Sequence, residues 1–269
     1  MLHGYEIIDA HCHIYPDSIA PRAVAGIGNF YGAPTRGAGT VADLTARGAA
    51  AGVDRFIVQS VATKAHQVRA INEFICAEAE RSGGRLIGLG TLYPDSPDLA
   101  GDYAHLRALG LHGVKLHPDF QGFKIDDYRC LKIYELCERD RMPILMHTGD
   151  HRYDFSNPNR MLPILQIYTE LTVVGAHFGG WSVWEEASET LRGLPNFYVD
   201  CSSTMGFLQD PSAVRRLFEA YGADRVLFGA DYPMWSEKDE LEMLFALGLP
   251  ADDLRKILSE NAKRVYRLP

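Results

Sequence analysis

HGVKLHPDFQGFKIDDYRCLKIYELCERDRMPILMHTG, residues 112–149, holds one complete structural unit of the chain. "HGVKLH" and "PILMHTG" are short, largely apolar runs of strand type, and "DDYRCLKIYELCERD" between them has the apolar spacing of an amphipathic helix. Near-continuous apolar runs fit strands buried on both faces, as in a parallel sheet covered by helices. The same unit recurs in both directions. Towards the N-terminus lie the strands "YEIIDAH", "DRFIVQS" and "RLIGLGTLY"; towards the C-terminus lie "TVVGAHFG", "NFYVDCSS" and "RVLFGADYP". Helical segments such as "AHQVRAINEFICAEAERSG" and "PSAVRRLFEAYG" separate them, and "KDELEMLFALG" and "ADDLRKILSENAKRVYRL" follow the last.

Eight strand-then-helix units predict an α/β protein with a single (β/α)8 TIM barrel, read as one domain over residues 1–269. A doubly wound sheet is the competing fold, but neither GxGxxG nor GxxxxGK[ST] supports a nucleotide-binding version of it. One connection is too long for a simple turn. Residues 14–39, "IYPDSIAPRAVAGIGNFYGAPTRGAG", form a long loop after strand one, and in a barrel this loop would cover the C-terminal mouth. Ile19, Val24, Ile27, Phe30 and Tyr31 offer it packing groups, so a partly ordered lid is expected.

Composition narrows the function classes. The chain has 269 residues, 46% hydrophobic and 23% charged, with 27 Lys and Arg against 35 Asp and Glu, a net charge of -8. No basic stripe with interleaved aromatics is present, which argues against nucleic acid. "MLHGYEIIDA" lacks the pattern of a signal peptide, and no apolar run approaches the ~20 residues of a membrane span. The five cysteines form no CxxC pair, so reduced thiols and a cytoplasmic location are expected.

Barrel chemistry sits at the C-terminal ends of strands. Read in order, those ends carry His11 and His13 on the first strand, Lys115 and His117 on the fourth, His147 on the fifth, His177 on the sixth and Asp231 on the eighth. Strand alternation puts Ile7, Asp9, His11 and His13 on one face and Cys12 on the other. One histidine at a strand end is commonly just a hydrogen-bonded polar residue. Several imidazoles and a carboxylate converging on one rim instead fit a divalent ion with a position open to water.

With these residues in view, the set "DAHCH", "GVKLHP", "PILMHTG", "GAHFGG", "LFGADYP" and "ILSENAKRVY" resembles the amidohydrolase superfamily. It is most similar to the amidohydrolase-2 branch related to aminocarboxymuconate semialdehyde decarboxylase. The resemblance implies that His11, His13, His147 and Asp231 bind metal, with Asp231 and His177 as the catalytic pair. It implies Zn²⁺, with Mn²⁺ as an alternative, and one ion in preference to two; Lys115 stands where binuclear relatives carry a carboxylated bridging lysine. The implied activity is a metal-dependent hydrolase using activated water on a small amide, lactone or other ester. The alternative is a non-oxidative decarboxylase or hydratase of an unsaturated or aromatic acid. The loops offer Arg152, Arg160, Trp181 and His117 as substrate-binding residues, arginine beside aromatics suiting a small carboxylate. A homodimer is consistent with family habit, although the sequence marks no interface.

Overall fold

The computed structural model describes residues 2–269. Nine strands run in chain order: β1 (Ile8–His13), β2 (Arg55–Gln59), β3 (Leu86–Gly88), β4 (Gly90–Thr91), β5 (Val114–Leu116), β6 (Ile144–Met146), β7 (Val173–Gly175), β8 (Phe197–Asp200) and β9 (Val226–Leu227). Every neighbouring pair is parallel. β3 and β4 are two parts of one stave interrupted at Leu89, whose N–H bonds Val58 while that of Gly90 bonds Gly113. Closure comes from the last stave pairing with the first: Ala10 N–H donates to Phe228 O at 2.9 Å and His13 N–H to Tyr232 O at 2.6 Å. The result is an eight-staved TIM barrel.

Two apolar cores follow from strand alternation. Ile8, Ala10, Ile57, Leu89, Leu145, Val174 and Leu227 fill the lumen, and a larger cluster lies between the strands and the outer helices. Ala262, Val265 and Tyr266, from the terminal helix Asn261–Tyr266, join the lumen cluster. That helix packs at the N-terminal ends of the strands, where Tyr266 O meets His112 Nδ1 at 3.1 Å and Lys263 pairs with Glu6. The barrel floor is therefore sealed, and its polar chemistry is confined to the other end.

The first strand departs from simple alternation. Asp9 pairs with Phe56 and Cys12 with Val58, so Ala10 and His11 together oppose Ile57 in a β-bulge. Alternation predicts Ile7 and Asp9 on the face of His11 and His13. The bulge changes that: Ile7 packs in the outer core with Cys12 and Phe56, whereas Ile8 and Ala10 face the lumen. Asp9 stabilises the irregularity, its Oδ1 accepting from His11 N at 3.1 Å and from Ala230 N at 3.0 Å.

The long connection contains a helix, Ala20–Tyr31, begun with a proline in its first turn and ended by left-handed Gly32. Gly26 and Gly28 lie inside it and weaken its intrinsic propensity, so tertiary contacts must hold it. Ile27 is buried, and Phe30 makes an edge contact with Phe120 at 4.6 Å between centroids. Arg152 Nη1 donates to Phe30 O at 2.7 Å while its guanidinium lies 4.8 Å from the Phe30 ring centre. All five cysteines are unpaired. Among the described residues, no helix is long and apolar enough to cross a membrane.

Two buried tyrosines make opposite predictions. Tyr266 buries a hydroxyl with no hydrogen-bond partner, whereas Tyr134 donates to Ile125 O at 2.7 Å. Tyr266→Phe should leave the denaturation midpoint unchanged or raise it, while Tyr134→Phe should cost about 1 kcal/mol. Urea unfolding of both variants measures the contrast.

Candidate active site and metal centre

His11 and His13 project from the end of β1 into the mouth of the lumen. Their Nε2 atoms are 3.2 Å apart, and Asp231 Oδ1 lies 3.4 Å from the first and 3.6 Å from the second. His11 Nδ1 is 2.9 Å from Asp200 Oδ2, an acceptor, so the imidazole proton resides on Nδ1 and the Nε2 lone pair faces the cluster. Three atoms of metal-ligand type thus converge at the separation set by tetrahedral ligands with bonds of ~2.0–2.1 Å, namely about 3.4 Å. Burial holds both imidazoles neutral, lowering their pKa values well below the ordinary histidine range, and Lys115 adds to the effect.

Asp231 takes a left-handed backbone conformation, φ 61°, beyond the end of β9. Trp235 Nε1 donates to Ser203 Oγ at 2.8 Å, and Ser203 Oγ donates to Asp231 Oδ2 at 2.6 Å, leaving Oδ1 for the histidines. Burial raises this carboxyl to about 7, with the Ser203 bond and Lys115 opposing the rise. Lys115 is fully buried, and its Nζ lies 3.1 Å from His11 Nε2. Burial lowers its ammonium to about 8, against the pull of Asp200 and Asp231.

His177 is likewise left-handed, φ 59°, and stacks on His11 with centroids 5.2 Å apart. Its Nδ1 is 3.1 Å from the Ser202 carbonyl oxygen, which can only accept, and 2.9 Å from Ser202 Oγ. The ring proton is therefore on Nδ1. Burial lowers the imidazole to about 3, so Nε2 carries a lone pair at neutral pH.

His147 belongs to an adjoining group. It stacks on His117 at 3.9 Å, and its Nε2, buried without a hydrogen-bond partner, is 3.6 Å from Asp119 Oδ2. His117 accepts from Phe120 N through Nδ1 and contacts Tyr31 Oη through Nε2 at 3.0 Å, which joins the lid to the imidazole cluster. The groups His11–His13–Asp231, His11–His177–Asp200 and His117–Asp119–His147 each bring their donor atoms close enough for one cation. An uncapped buried imidazole nitrogen and an excess of acceptors both fit a divalent ion.

A cavity of about 750 Å³ opens over these groups, lined by His11, His13, Lys115, His117, Asp119, His147, His177 and Asp231 at its inner end. The structure places the other expected substrate residues differently. Trp181 packs edge-on against Tyr31 at 5.2 Å, facing a small recess beside the main cavity. Arg152 grips Asp150 and the lid, and Arg160 pairs with Asp126 and Asp154, so neither guanidinium lines the cavity. Asp200, Ser202 and Asp119 enter the site without being singled out by the sequence, and Tyr31, expected only as a packing group of the lid, reaches His117. Asp200 ends a strand as the histidines do, so reading the seventh strand end would find it.

This TIM barrel carries a rim of imidazoles and carboxylates at the C-terminal ends of its strands. The amidohydrolase family model matches residues 8–268, and the chain belongs to that family. Among solved structures, an uncharacterized TIM-barrel protein, Bb4693, from Bordetella bronchiseptica is 22% identical with a TM-score of 0.80, covering 98% of this chain and 99% of that one. A 5-carboxyvanillate decarboxylase from Novosphingobium aromaticivorans, with bound manganese and 3-methoxy-4-hydroxy-5-nitrobenzoic acid, is 17% identical with a TM-score of 0.74, covering 98% of each chain. A putative 2-pyrone-4,6-dicarboxylic acid hydrolase from Pseudomonas putida is 20% identical with a TM-score of 0.70, again over 98% of both. At these identities the likeness is one of fold.

Asp200→Asn replaces an acceptor of the His11 proton with a group that can present a donor. Metal affinity, measured by competition with a chromophoric chelator, should fall 10–100-fold, the usual effect of losing such a partner. Unchanged affinity would remove Asp200 from the role of orienting His11.

Proposed function

We propose that this chain is a metal-dependent hydrolase acting on a carbonyl substrate, an amide, lactone or other ester. The observation that carries the reading is the convergence of His11 Nε2, His13 Nε2 and Asp231 Oδ1 within 3.2–3.6 Å of one another. These three residues would hold one divalent ion, Zn²⁺ most simply and Mn²⁺ as the alternative, with His147 in the adjoining group. Such an ion polarises a carbonyl and lowers the pKa of water towards ~7.

The chain's own groups divide the remaining work. Asp231 accepts the proton of the attacking water and returns it to the leaving group, as general base and then general acid. His177, with its proton held at Nδ1 by Ser202, accepts a hydrogen bond at Nε2 and orients the water. A neutral imidazole in this tautomer cannot also donate from Nε2 to a developing oxyanion. Lys115 Nζ is the buried donor placed for that task.

Lys115 also supports a second reading, non-oxidative decarboxylation, because a buried ammonium beside the imidazoles would seat a substrate carboxylate. Decarboxylases occur among the structures that share this fold, the manganese-bearing example included. A substrate screen that follows acid release and carbon dioxide together separates the two.

Purified protein should carry about one equivalent of divalent metal, removable by chelator, and Lys115→Ala should leave that stoichiometry unchanged. Asp231→Asn should fold normally and lose at least about 100-fold in turnover. Elemental analysis finding no metal in protein made with ample zinc and manganese would sink the metal-dependent reading.

A further inference from the structure

The cavity over the imidazole cluster is far larger than the proposed chemistry requires. A water occupies roughly 30 Å³, whereas this space of about 750 Å³ falls within the ~300–1,000 Å³ of sites for drug-sized ligands. Its outer part runs between the lid helix, Ala20–Tyr31, and the helix Val68–Arg81. Ala23, Ile27 and Phe30 line it from the first helix, and Ile71 and Phe74 from the second. At the rim Ile19 is 42% exposed. Two helices that each turn apolar side chains onto an open channel leave that surface in water unless something fills it. The channel is continuous with the catalytic groups, so the occupant that fits is the remainder of the substrate. The cations on its walls, Lys115 beside the imidazoles and solvent-exposed Arg22 on the lid helix, leave the facing surfaces of the two helices apolar.

We infer that the substrate carries an extended hydrocarbon segment, an alkyl chain or a linked aromatic ring, that runs from the imidazole cluster outward between these two helices. This rests on the hydrolase reading for the position of the reacting carbonyl. It replaces a compact substrate with an amphipathic one. Gly26 supplies the means of testing it. It lines the channel on the lid helix, and a Cβ built there meets no atom within 4 Å, so a larger side chain enters empty space. Leucine at this position also favours the helical state over glycine.

The experiment is a titration of straight-chain carboxylates from butanoate to decanoate against the metal-loaded protein, repeated after chelation. Affinity should rise about fourfold per added methylene until the channel is filled, the factor expected from burial of a CH₂ group. Gly26→Leu, checked by its thermal melt to be folded, should flatten that dependence for the longer chains, and Phe74→Ala should shift it. Equal affinity across the series, no saturable binding of decanoate, or a dependence unaltered in Gly26→Leu overturns the inference. Chelation tests the metal reading separately: chain-length dependence that survives while the metal has no effect on any acid would leave the channel assigned and the metal centre rejected.

Discussion

A single buried carboxylate, Asp200 at the end of β8, organises the site. Its Oδ2 accepts from His11 Nδ1, and its Oδ1 accepts from the backbone N–H of His177 and from both donors of Ser202. Desolvating an ionised carboxyl is costly, and a set of aimed donors is what makes it tolerable. In return, the carboxylate sets the orientation of two histidines from different staves. His11 is held directly; His177 is held through Ser202, which donates to Asp200 and so receives the His177 proton. Both rings then present unprotonated nitrogens, fixed in place by the framework.

The barrel supplies the separation of tasks that this arrangement needs. Tyr266 and its neighbours close the strands' N-terminal end with hydrocarbon, so polar groups can collect only at the other mouth. There the bulge in β1 adds one residue to the strand and turns His11 inward while keeping His13 in the lumen. Asp9 bridges β1 to the last stave at the same level, so the irregularity that aims His11 lies where the barrel closes. Left-handed backbone at His177 and Asp231 belongs to the same pattern, with conformations that L-residues seldom adopt concentrated where side chains must converge.

Much of this was legible in the sequence because the barrel enforces a simple rule. Eight apolar runs interleaved with helical segments specify the staves, and polar residues at their ends reveal His11, His13, His147, His177 and Asp231. What escaped has identifiable causes. The bulge is invisible to period-two reasoning, since it arises from how β1 meets β2, and only the register exposes the outward turn of Ile7 and Asp9. The lid helix is masked by its glycines and is stabilised by contacts distant in sequence, chiefly Phe120 and Arg152. Arg152 and Arg160 illustrate the converse. Residue type and loop position suggested substrate contact, but nearby carboxylates hold both side chains away from the cavity.

The fastening of the lid by Arg152 has a consequence for how such a protein can diversify. The guanidinium ties the loop after β6 to the carbonyl of Phe30 and stacks among the lid aromatics Phe30 and Tyr31, while His11, His13 and Asp231 take no part in that joint. Recognition and reactivity are therefore built in two layers with few shared residues. Changes along residues 20–30 can reshape what enters, whereas Tyr31 bonds His117 and belongs to both layers. A lineage, or an engineer, can thus exchange substrate range while inheriting the catalytic floor intact.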